Sequence, residues 1–270
     1  MSSLMESKLT AEQHALIRKV LVAQTESVGR LELPIVAGLL RERGCRRVLD
    51  IGCGEGSFLL KLAARAKRAR FLGIDHNRLA IADARRRLRE QGSRNVGLRT
   101  AFFDPSFPRA KYDAILTRYT LQHCSEPQRF VGAAFERLKK NGLLVCLESL
   151  DAYMDCHEKE PVWDRFRASV GAVHKRAGSD ENTGKSLGGL LKAAGFEQIW
   201  VQVLLCSPST VGYEAFRAVV EASAQTAASL FPDLFDTRLL RSVTRWLGDR
   251  ARLERQDPYL CSAIACGTRP

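Results

Sequence analysis

The run Val48-Leu49-Asp50-Ile51-Gly52-Cys53-Gly54-Glu55-Gly56 constrains the fold of this chain more than any other stretch. An apolar segment carries an acid near its end, and three glycines at alternate positions follow. The next residues, Ser57-Phe58-Leu59-Leu60-Lys61-Leu62-Ala63, read as a helix. A strand, a tight turn and a helix start make the unit that cradles nucleotide-like ligands. Glycines lack a Cβ, so the backbone there turns sharply and approaches a ligand closely. The helix beyond presents free N–H groups and its positive dipole end to the loop. A dinucleotide loop, G-x-G-x-x-G, needs a glycine at position 57, where this chain has Ser57. The spacing is G-x-G-x-G, which excludes the usual dinucleotide reading.

The segments that follow repeat the pattern of a short apolar run ending in an acid. Ala69-Arg70-Phe71-Leu72-Gly73-Ile74-Asp75 is the second. Asp75 falls about 20 residues past the loop, where a ribose-binding carboxylate is expected. Val96-Gly97-Leu98-Arg99-Thr100-Ala101-Phe102-Phe103-Asp104 reads as a third strand ending in an acid, and Tyr112-Asp113-Ala114-Ile115-Leu116-Thr117-Arg118 as a fourth. A helix over 128–140 is expected to stop at Lys139-Lys140-Asn141-Gly142, two cations and then a glycine. Leu143-Leu144-Val145-Cys146-Leu147 is a fifth strand.

These motifs, in this order over roughly residues 45–150, resemble the class I, Rossmann-like methyltransferases that use S-adenosylmethionine (SAM). Thr120-Leu121-Gln122-His123-Cys124-Ser125-Glu126-Pro127 resembles the Leu-x-His-x-x-(acid)-Pro stretch of their small-molecule branch, and Leu187-Gly188-Gly189-Leu190-Leu191-Lys192-Ala193-Ala194-Gly195-Phe196 their L-x-x-L-L-x-x-A-G-F segment. The resemblance implies a doubly wound α/β fold with a seven-stranded, mostly parallel sheet and an antiparallel last strand. It implies one domain over 1–270: a helical lid over 1–44, a SAM-binding half over 45–150, and a substrate-side half over 151–270 with helical insertions after strands five and six. It places SAM on Arg30, Asp50, Gly52, Cys53, Gly54, Asp75, His76, Phe103, Asp104, Thr117 and Arg118. Arg30 is read there as reaching the methionine carboxylate, Asp75 the ribose hydroxyls and Asp104 the adenine amine.

The sulfonium of SAM already activates its methyl, so the protein must align a nucleophile and exclude water, which is worth ~7–11 kcal/mol in favourable cases. A base is needed only when the nucleophile must lose a proton. His123 is the first candidate, because an imidazole of pKa ~6.5 suits that transfer near neutral pH. Tyr119, Glu148 and Tyr153 are further candidates at strand ends.

The N-terminal part has helical apolar spacing over 9–22 and 25–43. Past strand five, helices are expected at 160–177 and 186–194, a strand at 198–205 and a largely helical region at 210–250. Pro258 to Cys266 is expected to close the sheet as an antiparallel edge strand. No run reaches the ~18 apolar residues a membrane helix needs, and residues 1–6 carry no secretion signal. The eight cysteines form no C-x-x-C pair, which fits reduced thiols in a cytoplasmic setting. Cys156-His157 and His123-Cys124 have no common zinc-site spacing, so no metal is expected. The net charge of +12 is the rival clue, with clusters at Arg65, Lys67, Arg68, Arg70 and at Arg85-Arg86-Arg87-Leu88-Arg89. They fall on the first crossover helices, away from the strand ends where ligands bind, and no aromatics interleave to stack bases. Asp104-Pro105-Ser106-Phe107 has a likeness to the Asp-Pro-Pro-aromatic motif of amino-methylating nucleic-acid enzymes, but that motif follows the fourth strand. The reading is therefore methyl transfer to a small molecule, one setting being specialised metabolism, by a monomer or homodimer. RNA or protein methylation, and SAM binding without catalysis in a regulatory protein, are the alternatives.

Overall fold

The computed structural model describes residues 9–270; residues 1–6, searched above for a secretion signal, lie outside the described residues. The chain divides into two compact units. One, built around a β-sheet, holds residues 32–148, 183–203 and 263–270; the other is mainly helical and holds 9–31, 149–182 and 204–262.

In the sheet unit, β1 (Arg47–Ile51) pairs in parallel with β2 (Arg70–Asp75) and with β4 (Tyr112–Arg118). β3 (Val96–Thr100) pairs with β2, and β5 (Leu138–Ser149) with β4, also in parallel. With β6 (Glu197–Cys206) and β7 (Leu260–Thr268), the order is β3-β2-β1-β4-β5-β7-β6, with antiparallel pairing among these last strands. β1 is buried from Val48 to Ile51 and reads as a continuous apolar run apart from Asp50, as strands covered on both faces do. The crossovers are α3 (Ser57–Arg65), α4 (Arg78–Gln91) and α5 (Pro127–Arg137). Asn77 caps α4 by accepting from Leu79 N and Ala80 N, and Gly92 closes it at φ 65°.

Three expectations are corrected. β7 is not the edge: it lies between β5 and β6 and is buried along nearly its whole length, whereas β6 is largely exposed. The helix expected to run to 140 ends at Arg137, and Lys139 to Gly142 form a bulge inside β5. Asn141 at φ 60° and the ion pair of Lys139 Nζ with Asp113 Oδ1 at 2.7 Å hold that bulge. The third strand stops at Thr100, so Asp104 belongs to an irregular loop over 101–111.

The helical unit includes α1 (Ala11–Glu26), opened by a Thr10–Gln13 capping box. α2 (Gly29–Glu42) crosses the boundary between units. α6 (Pro161–Arg176) leads to α7 (Leu187–Ala193), which belongs to the sheet unit. The expected 210–250 region is broken into α8 (Pro208–Val211), α9 (Tyr213–Leu230), α10 (Thr237–Gly248) and α11 (Arg250–Gln256). α1 packs along α9. Trp163, Phe166, Phe216, Phe235 and Trp246 centre a separate core, with Trp163 stacked on Phe166 at 5.2 Å. Trp246 Nε1 donates to Gln256 Oε1, so the indole is buried without an orphan donor.

Candidate functional site

The glycine loop leaves β1 with Gly52 N and Cys53 N both donating to Ile74 O of β2, at 2.8 and 3.0 Å. Gly52, Gly54 and Gly56 all have left-handed φ, at 73°, 55° and 81°. At Gly52 the demand is double, because an added Cβ would sit 2.2 Å from Thr120 Oγ1. Asp75 ties the loop to β2: its Oδ2 accepts from Gly54 N at 2.9 Å and its Oδ1 from Asn77 N at 2.8 Å. Each oxygen keeps acceptor capacity. Asp50 is buried behind the loop, and burial pushes its pKa up to about 7, with Asp75 adding to the rise and Arg118 opposing it. Burial likewise raises the Cys53 thiol well above its ordinary value.

The start of α3 is occupied from within. Glu55, itself buried, accepts from Ser57 N at 3.3 Å and from the Ser57 hydroxyl, and its other oxygen lies 2.7 Å from Arg87 Nε of α4. A helix N-terminus is where a phosphate would bind. Here a carboxylate of the chain already accepts from the first N–H of α3.

Beyond β3, Asp104 Oδ1 accepts from Ser106 N at 2.7 Å and Ser106 Oγ at 2.5 Å, and these bonds lower its pKa. The Phe103 ring, expected on the ligand, turns into the core against Phe107 and Phe130. Phe102, not singled out in the sequence, is the exposed ring (69%) and meets His76 edge-on at 5.9 Å.

At the end of β4, Arg118 Nε is ion-paired to Glu32 Oε2 at 2.7 Å, and Tyr119 OH donates to Glu32 Oε1 at 3.0 Å. The Arg118 guanidinium lies over the rings of Phe58 and Tyr119, at 4.7 and 4.5 Å. Burial works against its charge, but Glu32 holds its pKa above the ordinary arginine value. Tyr119 has φ 50°, strain of a kind that gathers at functional sites. Thr117 Oγ1 is buried without a hydrogen-bond partner. Glu32 was missed in the sequence; its one signal was an acid between Leu31 and Leu33 in an apolar helical stretch.

The 3-10 turn Leu121–His123 follows. Glu148 lies beneath it, fully buried: Oε1 accepts from Thr120 N and Leu121 N at 2.9 and 2.8 Å, and Oε2 from Gln122 N at 3.3 Å. Burial outweighs those bonds and raises its pKa to about 7. Both oxygens are engaged by backbone N–H groups of the turn. The imidazole of His123 is exposed, with Nε2 3.3 Å from Gln122 Nε2. Tyr119, the third candidate, has its hydroxyl on Glu32. Tyr153 and Arg30 belong to the helical unit, where Tyr153 is exposed and Arg30 Nη1 donates to Val211 O at 2.8 Å.

The loop glycines, the acceptor capacity of Asp75, the internally filled α3 N-terminus and the orphaned Thr117 hydroxyl fit an adenosyl ligand without phosphates. Among the described residues no cluster of three metal-ligating side chains occurs, and no helix is long and apolar enough to cross a membrane. None of the eight cysteines, all among the described residues, is in a disulfide.

A family profile described as "Methyltransferase domain" matches residues 43–185, more than half of the chain. A carboxy-S-adenosyl-L-methionine synthase of Wolinella succinogenes is 34% identical over 119 residues, 43% of this chain and 48% of that protein. A ubiquinone biosynthesis O-methyltransferase of Bradyrhizobium sp. is 31% identical over 99 residues, 37% of this chain and 38% of that one. The chain thus spans about half or less of the length of these curated relatives. Among solved structures, the [4+2]-cyclase SpnF superposes with a TM-score of 0.55 at 24% identity, over 87% of this chain and 80% of that one, a likeness of fold.

Proposed function

Because the chain belongs to this methyltransferase-domain family, we propose that it binds SAM at the glycine-loop end of its sheet and transfers the methyl group to a small-molecule acceptor. Bound SAM would supply a methyl already activated by its sulfonium. The observation that carries the reading is the Asp75 carboxylate, fixed by Gly54 N and Asn77 N beside the left-handed glycines. Asp75 would take the ribose hydroxyls on its remaining acceptor sites, and Asp104 the adenine amine on its second oxygen. Asp50, Arg118 and Glu32 supply buried charge of both signs for the amino-acid end. Thr117 has a hydroxyl to give. His123, exposed on a turn that Glu148 holds from below, is the group for an acceptor proton. Arg47 and Arg70 face each other at the first residues of β1 and β2, the opposite end from the glycine loop. This supports a small molecule over a nucleic acid at the reacting end. Eight cysteines without a disulfide support a cytoplasmic setting.

The names of a carboxy-S-adenosyl-L-methionine synthase and a cyclase among similar proteins make turnover the thing to measure. The full chain is titrated calorimetrically with S-adenosylhomocysteine, then incubated with SAM and a metabolite extract, and products are sought by a mass gain of one methyl. Micromolar binding and a methylated product are expected. Binding without any transferred methyl would make this a SAM-binding protein of another kind, and no binding would overturn the reading.

A further inference from the structure

Arg137 closes α5 and is fully buried. Its donors go to backbone carbonyls. Nη1 donates to Ala133 O at 2.9 Å, one turn back in its own helix. Nε donates to Phe107 O at 3.1 Å, and Nη2 to Pro105 O at 2.8 Å, Asp104 O at 3.3 Å and also Phe107 O. The guanidinium lies 5.4 Å from the Phe103 ring centroid and 5.9 Å from that of Phe107.

The loop over 101–111 belongs to no helix or strand, so no ladder satisfies its carbonyls. A planar guanidinium offers five donors in a rigid fork, whereas an ammonium offers three from one point. Three carbonyls within four residues, 104, 105 and 107, converge on this one group, which together with the turn bond from Phe107 N to Asp104 O at 3.0 Å sets the path of the loop. Two ligand-facing features depend on that path. Asp104 sits at one of the bound carbonyls, with its carboxylate steered by Ser106. Phe102 precedes the ring on which Arg137 stacks and is the exposed aromatic opposite His76.

We propose that Arg137 is a positioning residue for the adenosyl group: through the carbonyls of 104, 105 and 107 it holds Asp104 and Phe102 in the geometry that recognises adenine, without touching the ligand. This rests on the SAM reading of the site. Burial lowers the pKa of Arg137, yet an arginine starts so high that the group stays charged at working pH.

The test compares the full-length wild type with Arg137→Lys, using S-adenosylhomocysteine and 5′-methylthioadenosine as calorimetric probes. Lysine keeps the charge and loses the fork. Both ligands share the adenosyl half, so both affinities are expected to fall tenfold or more and by the same factor within threefold. With a methyl acceptor in hand, KM for SAM rises by that factor while kcat stays within threefold. A folded lysine variant that binds S-adenosylhomocysteine within twofold of wild type overturns the proposal. So does one that loses this ligand and keeps methylthioadenosine. Hydrogen exchange of the 101–111 segment in the wild type decides the matter even where the variant does not fold. The bonded amides of the turn, Ser106 N and Phe107 N, are expected to be protected before ligand is added, and to change less than twofold with S-adenosylhomocysteine. Ordering only on ligand addition, by tenfold or more, overturns the proposal. A wild type that binds neither probe overturns the SAM reading, and the role of Arg137 with it.

Discussion

Replacing Glu148 by Gln separates an anchoring carboxylate from a catalytic one. In the wild type, two N–H groups bond Oε1 and one bonds Oε2. Glutamine keeps one acceptor oxygen and sets an NH₂ against Gln122 N, a donor facing a donor. One lost bond to a buried group costs about 1–3 kcal/mol. The wild type also carries a titration that glutamine lacks. Glu148 moves from an ordinary 4.5 to about 7 through burial, which at about 1.4 kcal/mol per pH unit is roughly 3 kcal/mol. A raised acid means that the folded state holds the proton more tightly than the unfolded chain. The stabilisation is full below the unfolded value and is lost as pH rises through the folded one. About 2.5 kcal/mol of it disappears between pH 5 and 8.5. The titrations of Asp50 and Asp151 are common to both proteins and cancel in the difference. The variant should therefore be the less stable at pH 5, and the gap should close by roughly 5–10 °C in Tm by pH 8.5. Thermal unfolding of both proteins at the two pH values measures it. A gap that stays constant would refute the buried, proton-linked carboxylate. With an acceptor, kcat should fall less than about tenfold; a loss of a hundredfold or more at unchanged stability would make Glu148 a proton-transfer group after all.

Gly52→Ala places a methyl 2.2 Å from Thr120 Oγ1 in a left-handed backbone, and calorimetry should show S-adenosylhomocysteine affinity falling at least a hundredfold. Asp75→Ala frees Gly54 N and Asn77 N, and the same titration should weaken at least tenfold, about 1.4 kcal/mol. His123→Ala should lower kcat ten- to a thousandfold while leaving that affinity within threefold; near-full turnover at saturating acceptor would remove the imidazole from the chemistry. Asp50, Glu148 and Asp151 are all raised to about 7 by burial, so the wild-type Tm should decline from pH 5 to pH 8.

The parts of the site legible in the sequence are those whose cause is local. The turn at the loop glycines and the acid closing β2 each follow from a few neighbouring residues. The failures lie where an outcome depends on distant chain. Phe103 and Phe102 are adjacent aromatics, and only the packing of Phe107, Phe130 and Arg137 decides which one is buried. The Lys139-Lys140-Asn141-Gly142 run has the look of a helix stop, yet it forms a bulge in β5, where Asp113 of β4 pairs with Lys139. β7 reads like any closing strand, and its insertion between β5 and β6 is a matter of sheet assembly.

By itself the sequence determined the glycine-loop turn of 52–56, the exclusion of a dinucleotide by Ser57, and the place of Asp75 at a strand end. Backbone conformation at a turn is set by sterics within a few residues, so those conclusions needed no partner. The tertiary structure alone decided that Glu32, 86 residues from Arg118, neutralises it, that Glu148 supports the turn bearing His123, and that Arg137 gathers the carbonyls of the Asp104 loop. A buried charge persists only where other groups satisfy it, and those groups come from whichever elements folding brings alongside.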